Sequence, residues 1–264
     1  IEKTALKSSD AWRERLAGIL IKTPDQNLNR LFNQFLKYQS LVTLNQSRLS
    51  SIQRLAVGLT LDQSKSEEIG SLLAEQTKDG KLEDMNTTIA LIDLLATYLK
   101  ETGHFEFMHR NAPFNDGGTG SVLQHFIRAL NYCQTQLSAR ELICTQRKDG
   151  YKLESTTLTG WAAHGWREAI PILEHFGEHH LVERYSKILD RIKESVDRHL
   201  RLGNHYAAGF KTESSKIGLK GKPRQIEAES QVCLIISNLI DPERAKRVLS
   251  LVAQKLGTQF GTLN

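Results

Sequence analysis

Apolar residues recur at the spacing of an α-helix through most of this chain. One stripe contains Ile89, Ile92, Leu95, Ala96 and Leu99, which fall on one face of a helix with 3.6 residues per turn. Comparable stripes lie at 122–133, 161–173, 181–200, 226–236 and 245–252. Because no strands alternate with these stripes, a parallel sheet is not expected. The pattern predicts an all-α protein in which helix follows helix.

Turn-forming residues mark the ends of the predicted helices. Thr23-Pro24-Asp25 is typical of a helix start, with a capping hydroxyl and a proline whose missing N–H costs nothing. Asp241-Pro242-Glu243 predicts the start of the last helix in the same way. Glycines follow three stripes, as they do at helix C-termini. They are Gly103, Gly177 and Gly203.

The positions of these turn-forming residues also suggest a domain organisation. Residues 1–22 are predicted to form a separate linker helix, and residues 23–264 one helical domain. Within that domain, residues 205–219 break the helical period with short apolar groups, which favours a small β excursion. Serial helical hairpins suggest an α/α toroid or a helical-repeat solenoid. No motif recurs at a fixed period, and this weighs against the solenoid.

The composition is that of a soluble globular protein, with 39% hydrophobic and 25% charged residues. No apolar run approaches the ~20 residues that a membrane-spanning helix needs. The three cysteines are widely spaced and odd in number, which favours a reducing, cytoplasmic setting over a disulfide framework. The net charge of +5 is densest between Lys211 and Arg224, where no aromatic residues interleave. A solvated loop is therefore favoured there over a nucleic-acid site.

A polar segment interrupts the apolar pattern after residue 37. It reads Tyr38-Gln39-Ser40-Leu41-Val42-Thr43-Leu44-Asn45-Gln46-Ser47-Arg48. This run resembles the segment that opens the catalytic domain of the cellobiose and chitobiose phosphorylases, relatives of the phosphorylase-like module of cyclic β-1,2-glucan synthases. The family pattern is Tyr-Gln and then Val-Thr-x-Asn-x-Ser-Arg. A second match lies at Glu101-Thr102-Gly103-His104-Phe105 and Pro113-Phe114-Asn115-Asp116-Gly117-Gly118, followed by Val122 and His125.

The resemblance covers the chain from about Asn27 onward and implies an α/α toroid of the six-hairpin glycosidase type. It also implies a β-sandwich before the matched segment and further toroid helices after Asn264, so we expect an incomplete domain with flanking parts of a longer polypeptide. The implied activity is inverting phosphorolysis of β-linked gluco-oligosaccharides, or its reversal. Inorganic phosphate is then the co-substrate, with no cofactor, and an oligosaccharide or sugar phosphate is the partner. The location is expected to be cytoplasmic, including the cytoplasmic part of a membrane-associated protein.

Cleavage of a glycosidic bond by phosphate needs one carboxylic acid that protonates the leaving oxygen. The resemblance places that acid at the end of an Asp-Trp-Asn-Asp loop, where this chain has Gln146-Arg147-Lys148-Asp149. Asp149 is therefore the candidate acid. Arg147 and Lys148 favour the ionised carboxylate, whereas a general acid has to keep its proton. An exposed Lys-Asp-Gly turn is the alternative role.

Four more residues are candidates for sugar binding: Arg48, Asp62, Trp161 and Glu229. Arg48 either reaches a cavity or braces its own motif, since an unpaired buried charge is costly. Asp62 aligns with a family sugar-binding loop but also suits a helix N-cap. Glu229 matches a family glutamate and equally suits the first turn of a helix. Trp161 either stacks on a sugar ring or packs between helices.

Some family positions differ in this chain. Where the family has a paired Asp-Asp and a tryptophan, the sequence has Asn86-Thr87 and Ala90. A catalytically degenerate relative that binds carbohydrate or serves as a scaffold in a larger glucan-synthesising protein is the second hypothesis, and a helical interaction platform is the third. No metal site is predicted, because Gly177 separates His175 from His179 and no Cys or Asp partner stands nearby.

Overall fold

Eight α-helices account for most of the residues that the computed structural model describes, which are 20–36, 66–146, 152–211, 215–217, 226–258 and 261–262. The helices are α1 (Gln26–Arg30), α2 (Ser66–Leu73), α3 (Met85–Thr102), α4 (Val122–Thr135), α5 (Thr156–His175), α6 (His179–Ser195), α7 (Ala228–Ile236) and α8 (Pro242–Leu256). Turns of π-helix extend α1 over Leu31–Leu36 and α6 over Val196–Leu200, and a 3₁₀ turn spans Phe105–His109. The helices predicted from apolar stripes after residue 85 are confirmed.

Three helices, α3, α5 and α7, lie side by side as an inner layer with α5 in the middle. Most of α3 and much of α5 is buried, because their apolar residues surround the axis and do not form one narrow stripe. The sequence fixes both ends of α3. The Asp84 carboxylate accepts the backbone N–H of Thr87 at 2.7 Å, and Gly103 ends the helix in the left-handed conformation with φ of 64°.

Each inner helix is followed by an outer helix that packs back against it, giving the hairpins α3/α4, α5/α6 and α7/α8. The outer helices bury one face, as α6 does with residues three and four positions apart. Local sequence sets where two of them begin. Ser121 and Gln124 form a capping box at α4, and Asp241 caps α8 with Pro242 in the first turn. The described chain therefore builds two layers of paired helices.

Two glycines on α5 allow it to approach both neighbouring inner helices. A Cβ added at Gly160 would lie 2.7 Å from Cβ of Cys233 and 2.9 Å from its carbonyl carbon on α7. A Cβ added at Gly165 would lie 3.0 Å from Cγ2 of Ile92 on α3. Because interiors are packed near crystal density, neither extra carbon has room. The spacing of the inner layer therefore depends on these two missing side chains.

Short strands connect the helices. The main sheet has four antiparallel strands in the order β3 (Cys144–Gln146), β4 (Lys152–Ser155), β7 (Gly209–Lys211) and β8 (Ser215–Ile217). Three two-stranded ribbons pair β1 (Asn111–Pro113) with β2 (Thr119–Ser121), β5 (Arg201–Leu202) with β6 (His205–Tyr206), and β9 (Gly257–Thr258) with β10 (Gly261–Thr262). The β excursion predicted at 205–219 is confirmed, and the β3–β4 hairpin was not predicted from the sequence.

A buried polar network joins the segment after α2 to α4. Gln76 and His125 are both fully buried, and the Gln76 amide nitrogen donates to the carbonyls of Gly80 and His125 at 3.0 and 3.2 Å. Nδ1 of His125 lies 2.7 Å from Oε1 of Gln76, and Nε2 lies 3.1 Å from the Ala112 carbonyl oxygen. The ring also stacks on Phe114 with centroids 3.9 Å apart. Both ring nitrogens of the buried His125 therefore have hydrogen-bond partners.

The prediction for the first helix was wrong in its details. Asp25, and not Thr23, is the N-cap, because its carboxylate accepts the N–H groups of Asn27 and Leu28 at 2.8 and 3.2 Å. Thr23 instead bonds through its backbone N–H to Asn29 at 2.7 Å. Apolar residues of α1 and its π turn are exposed within the described segment. The predicted linker helix falls largely on residues 1–19 and the polar segment at 38–48 falls within residues 37–65, and both of these ranges lie outside the described residues.

The close approach at Gly160 makes a testable prediction for stability. We expect Gly160→Ala to lower the free energy of unfolding by about 1–3 kcal/mol, because the methyl group overpacks the α5–α7 contact. Gly70→Ala is the matched control, since nothing lies within 4 Å of a Cβ built there and α2 has an ordinary helical backbone. That change should stabilise the protein by about 0.5–1 kcal/mol. Urea denaturation measures both, and equal effects of the two substitutions would contradict the packing argument.

The buried His125 predicts a pH dependence of stability. Burial lowers the pKa of His125, the Ala112 carbonyl opposes this, and the charge of Arg128 adds to the lowering. An unfolded histidine has a pKa of about 6.5, so below that pH the unfolded chain binds a proton that folded His125 does not. The free energy of unfolding should therefore fall as the pH drops from about 7.5 to about 5.5.

His125→Gln should reduce this slope. Part of the slope will remain in His125→Gln, because burial also lowers the pKa of His205. Urea melts at both pH values measure the slope. An unchanged slope in His125→Gln would refute the assignment.

Candidate functional site

All three inner helices begin at one large cleft. Its volume is about 990 Å³, and its walls include Asn86 on α3, Thr157 on α5 and Glu229 on α7. Each of these residues lies in the first turn of its helix. Backbone N–H groups at helix starts contribute a partial positive potential. The carboxylates of Glu83, Asp84, Glu227 and Glu229, which also line the cleft, outweigh it. We call this the first cleft.

The start of α3 contributes one rim of the first cleft. Asn86 is exposed and lines it, together with Asp84 and Lys81. Thr87 is occupied by the helix cap, because its hydroxyl donates to the Asp84 carboxylate at 2.8 Å. Asn86 and Thr87 therefore differ in role. Asn86 presents an amide to the cleft, and Thr87 stabilises the helix start.

The starts of α5 and α7 meet in a cluster of oxygen atoms. The Glu227 carboxylate accepts a hydrogen bond from the hydroxyl of the buried Ser230, and the Thr157 hydroxyl lies 3.5 Å from the same carboxylate oxygen. The Thr157 and Ser230 hydroxyls are 2.9 Å apart. Glu227 and Thr157 both line the first cleft. These bonds hold a half-buried carboxylate in a fixed position at the cleft wall.

Two neutral side chains with raised pKa values lie near these carboxylates. Burial raises the pKa of Cys233 to about 12, and the charges of Glu229 and Glu227 add to the shift. Burial likewise raises the pKa of Tyr132, which lines the first cleft, and the charge of Asp79 adds to it. Both groups therefore stay protonated at neutral pH. The thiol carries no charge beneath the carboxylates, and the phenol presents a hydrogen-bonding O–H.

The four-stranded sheet separates the first cleft from a second one of about 540 Å³. Side chains of β4 alternate between the two, as the pleat requires. Leu153 and Ser155 line the first cleft, and Lys152 and Glu154 line the second. The second cleft also contains Arg140, whose guanidinium lies 2.8 Å from the Glu154 carboxylate and 4.7 Å from the ring centroid of Phe210.

The predicted site residues are described only in part. Glu229 is exposed in the first turn of α7 and lines the first cleft, and its binding role stays a prediction. Arg48, Asp62 and Asp149 lie outside the described residues, and their roles stay predictions. Gln146, the last described residue before Asp149, lines both clefts.

Trp161 lies one turn after Thr157 on α5. It is half-buried, packs against the core and meets His164 edge to face, with ring centroids 6.0 Å apart. It is not among the residues that line the first cleft. Its contacts are those of the helix-packing alternative, and its use in sugar stacking stays a prediction.

Sequence reasoning missed Glu227 and Thr157 as site residues. Glu227 precedes α7 and resembles an ordinary polar residue at a helix start, and Thr157 follows a strand that the sequence did not predict. A weak signal existed in the spacing of Glu227 and Ser230. An acidic residue three positions before a serine at a helix start brings the two side chains together, as the capping positions do.

In the part of the chain that is described, no group of three or more His, Cys, Asp or Glu side chains is arranged so that it could hold a metal ion. His175 instead lies against Phe105, with ring centroids 4.2 Å apart. Cys133, Cys144 and Cys233 are thiols and form no disulfide. None of the described helices has both the length and the apolar character that crossing a membrane requires.

The layered helical hairpins are shared with a known structure. The chain is similar to a rhamnosidase from Klebsiella oxytoca with rhamnose bound, with a TM-score of 0.60 and 14% sequence identity. The similarity covers 90% of this chain and 50% of that one. It defines the fold class, and the two layers of hairpins are part of an α/α toroid, as the sequence predicted.

The family follows from the sequence comparison. The glycosyl hydrolase 94 superfamily, catalytic domain, matches residues 60–263, and the chain belongs to this family. Solabiose phosphorylase from Paenibacillus borealis is 26% identical and covers 93% of the chain. N,N'-diacetylchitobiose phosphorylase from Vibrio proteolyticus and cellobionic acid phosphorylase from Neurospora crassa are each 22% identical over 95% of it.

These matches confirm the resemblance to the glycoside phosphorylases, and the specific likeness to cyclic glucan synthases stays a prediction. The chain spans 36% to 39% of the length of the three relatives.

Proposed function

We propose that this chain forms the sugar-binding part of a glycoside phosphorylase that acts on β-linked gluco-oligosaccharides with inorganic phosphate. The observation that carries the proposal is the first cleft, where three helix starts bring together an amide and two carboxylates. Planar polar groups of this kind pair with neighbouring sugar hydroxyls. Three relatives are named as phosphorylases of disaccharides or related sugars, which supports the same reaction class here.

The proposed reaction needs one acidic side chain from the protein. A phosphate oxygen attacks the anomeric carbon from the face opposite the glycosidic oxygen, and the old C–O bond breaks. The general acid gives its proton to the departing oxygen, which becomes a hydroxyl of the released sugar. The other product is a sugar 1-phosphate of inverted configuration. We assign the acid to Asp149 and the sugar contacts to Asn86, Glu227 and Glu229.

The charges around the site favour hydroxylated ligands. Glu83, Asp84, Glu227 and Glu229 line the cleft with Lys81, and the hydrogen bonds from Ser230 and Thr157 keep Glu227 ready to accept sugar hydroxyls. Asp149 has the less favourable setting, between Lys148 and Arg147 in sequence. Bound sugar has to shield its carboxyl from water for the proton to be retained at neutral pH.

The wider organisation forms part of the proposal. Residues 1–22 act as a linker and residues 23–264 as part of the toroid, with further parts of a longer cytoplasmic polypeptide completing it. Arg48 and Asp62 are assigned to sugar binding in that complete domain. Asp62 falls within the stretch that matches the family, and Arg48 lies before it.

Replacing the proposed acid tests the chemistry. Asp149→Asn in the full-length protein should lower phosphate release from glucose 1-phosphate, with β-gluco-oligosaccharides as acceptors, by about 10²–10⁴-fold, because in this reverse direction the carboxylate takes the proton of the attacking acceptor hydroxyl and an amide cannot. Asp190→Asn is the matched control, since Asp190 is exposed on outer helix α6. Turnover that is unaffected by Asp149→Asn would eliminate this residue as the acid.

A second candidate function is sugar binding without turnover. The observation in its favour is Thr87, which serves the α3 cap where the family has an acidic residue. This function predicts oligosaccharide binding in the full-length protein with no phosphate release at any substrate concentration. Turnover that depends on Asp149 would exclude it.

Both candidates require the first cleft to bind sugar. We expect Glu227→Gln and Glu229→Gln each to weaken oligosaccharide binding by about tenfold, which corresponds to the loss of one charge-assisted hydrogen bond. Calorimetric titration measures the change, with Asp190→Asn again as the control. Wild-type affinity in both variants would show that sugar does not contact these carboxylates.

A further inference from the structure

The reaction proposed above leaves the second cleft without a role. Its volume of about 540 Å³ lies within the range of roughly 300–1,000 Å³ that small-molecule sites occupy. It is lined by Arg140, Glu154, Phe210 and the loop after α4, and it opens on the face of the sheet opposite the first cleft.

The two clefts share one edge. Gln136, Thr145 and Gln146 line both of them. Thr145 and Gln146 form the end of β3, and Gln136 immediately follows α4. The Gln136 carbonyl also accepts the N–H of Cys144 at 2.9 Å, which ties these two segments together. A chain-like ligand that leaves the first cleft over this edge therefore enters the second directly.

The side chains of the second cleft are fixed in place. The Arg140 guanidinium is held between the Glu154 carboxylate at 2.8 Å and the Phe210 ring at 4.7 Å. Its backbone N–H bonds the Ser138 hydroxyl at 3.1 Å, and its carbonyl accepts the hydroxyl of Ser195. A guanidinium fixed in this way loses little entropy when it binds a ligand.

The chemistry of this cleft suits a polyhydroxylated ligand. Hydroxyl and amide groups of Ser138, Gln136, Thr145 and Gln146 line it beside Arg140, and the Phe210 ring is almost fully buried behind the guanidinium. Apolar ligands would desolvate these polar groups without replacing their hydrogen bonds. A sugar replaces them with its own hydroxyls.

We propose that the second cleft binds the sugar units that extend beyond those in the first cleft, so that the ligand is a β-linked gluco-oligosaccharide longer than a disaccharide. This proposal rests on the proposed sugar-binding function of the first cleft. The edge formed by Gln136, Thr145 and Gln146 is the crossing point, and the glycosidic linkage that passes over it separates the units held on each side.

The test is a calorimetric titration of the full chain with β-linked gluco-oligosaccharides of increasing length, from the disaccharide upward. Affinity of the wild-type protein should rise about tenfold between the disaccharide and the tetrasaccharide, as the second cleft fills. Ala139→Trp places a bulky side chain in the second cleft, because Ala139 is exposed and lines that cleft but not the first. Lys193→Trp, on the exposed face of α6, is the matched control.

We expect Ala139→Trp to bind the disaccharide with wild-type affinity but to lose the increase in affinity with oligosaccharide length. Lys193→Trp should keep that increase. Unchanged disaccharide binding also shows that the variant is folded, and Ala139→Tyr provides a second, smaller block. Two results would overturn the second-cleft proposal alone. One is disaccharide binding with no rise in affinity for longer ligands, and the other is a rise in affinity with ligand length that survives Ala139→Trp. No binding at any length in the wild type would overturn the first-cleft function as well.

Discussion

The close packing of α5 between α3 and α7 is the constraint on which the other features depend. Gly160 faces Cys233 on one side, and Gly165 faces Ile92 on the other, with no room for a methyl group at either contact. These two contacts bring the starts of the three helices to one place. The hydrogen bonds among Thr157, Ser230 and Glu227 exist because α5 and α7 approach so closely. The geometry of the first cleft thus follows from two absent side chains in the helix layer.

The outer elements complete the site without forming its floor. The outer helices cover the apolar sides of the inner layer, and each begins at a local sequence signal such as the capping box of Ser121 and Gln124. The sheet between helices acts as a wall, and strand alternation gives it two different polar faces. Loops and helix starts supply the polar groups, and the buried helix interiors supply the rigidity. Function and stability are therefore carried by different parts of the same hairpins.

The sequence predicted the fold more fully than the site, for physical reasons. Long helices can be recognised in a sequence by the regular spacing of their apolar residues. Gly103 and Asp241 mark helix boundaries that local chemistry alone determines. The β3–β4 hairpin was missed because strands of three and four mostly polar residues show no alternation that can be distinguished from a loop. The sequence predicts a capping hydroxyl at Thr23, whereas Asp25 is the cap in the structure. Both residue types are favoured caps, and only the folded chain shows which side chain reaches the helix N–H groups.

The site was harder to predict because its residues are distant in sequence. Asn86, Thr157 and Glu229 meet only through helix packing. The only sequence signal at Glu227 is the weak one of its spacing from Ser230. Glu229 was found through the family resemblance, and Asp149 was assigned in the same way.

Hydrogen–deuterium exchange on the full-length protein, with and without a β-gluco-oligosaccharide and phosphate, tests the central claim most directly. If the convergent helix starts form the sugar site, exchange should slow in peptides that contain residues 84–87, 155–158 and 227–230, and the outer helices α6 and α8 should not change. Protection confined to the outer helices, or no protection at any of the three helix starts under saturating sugar, would contradict the account.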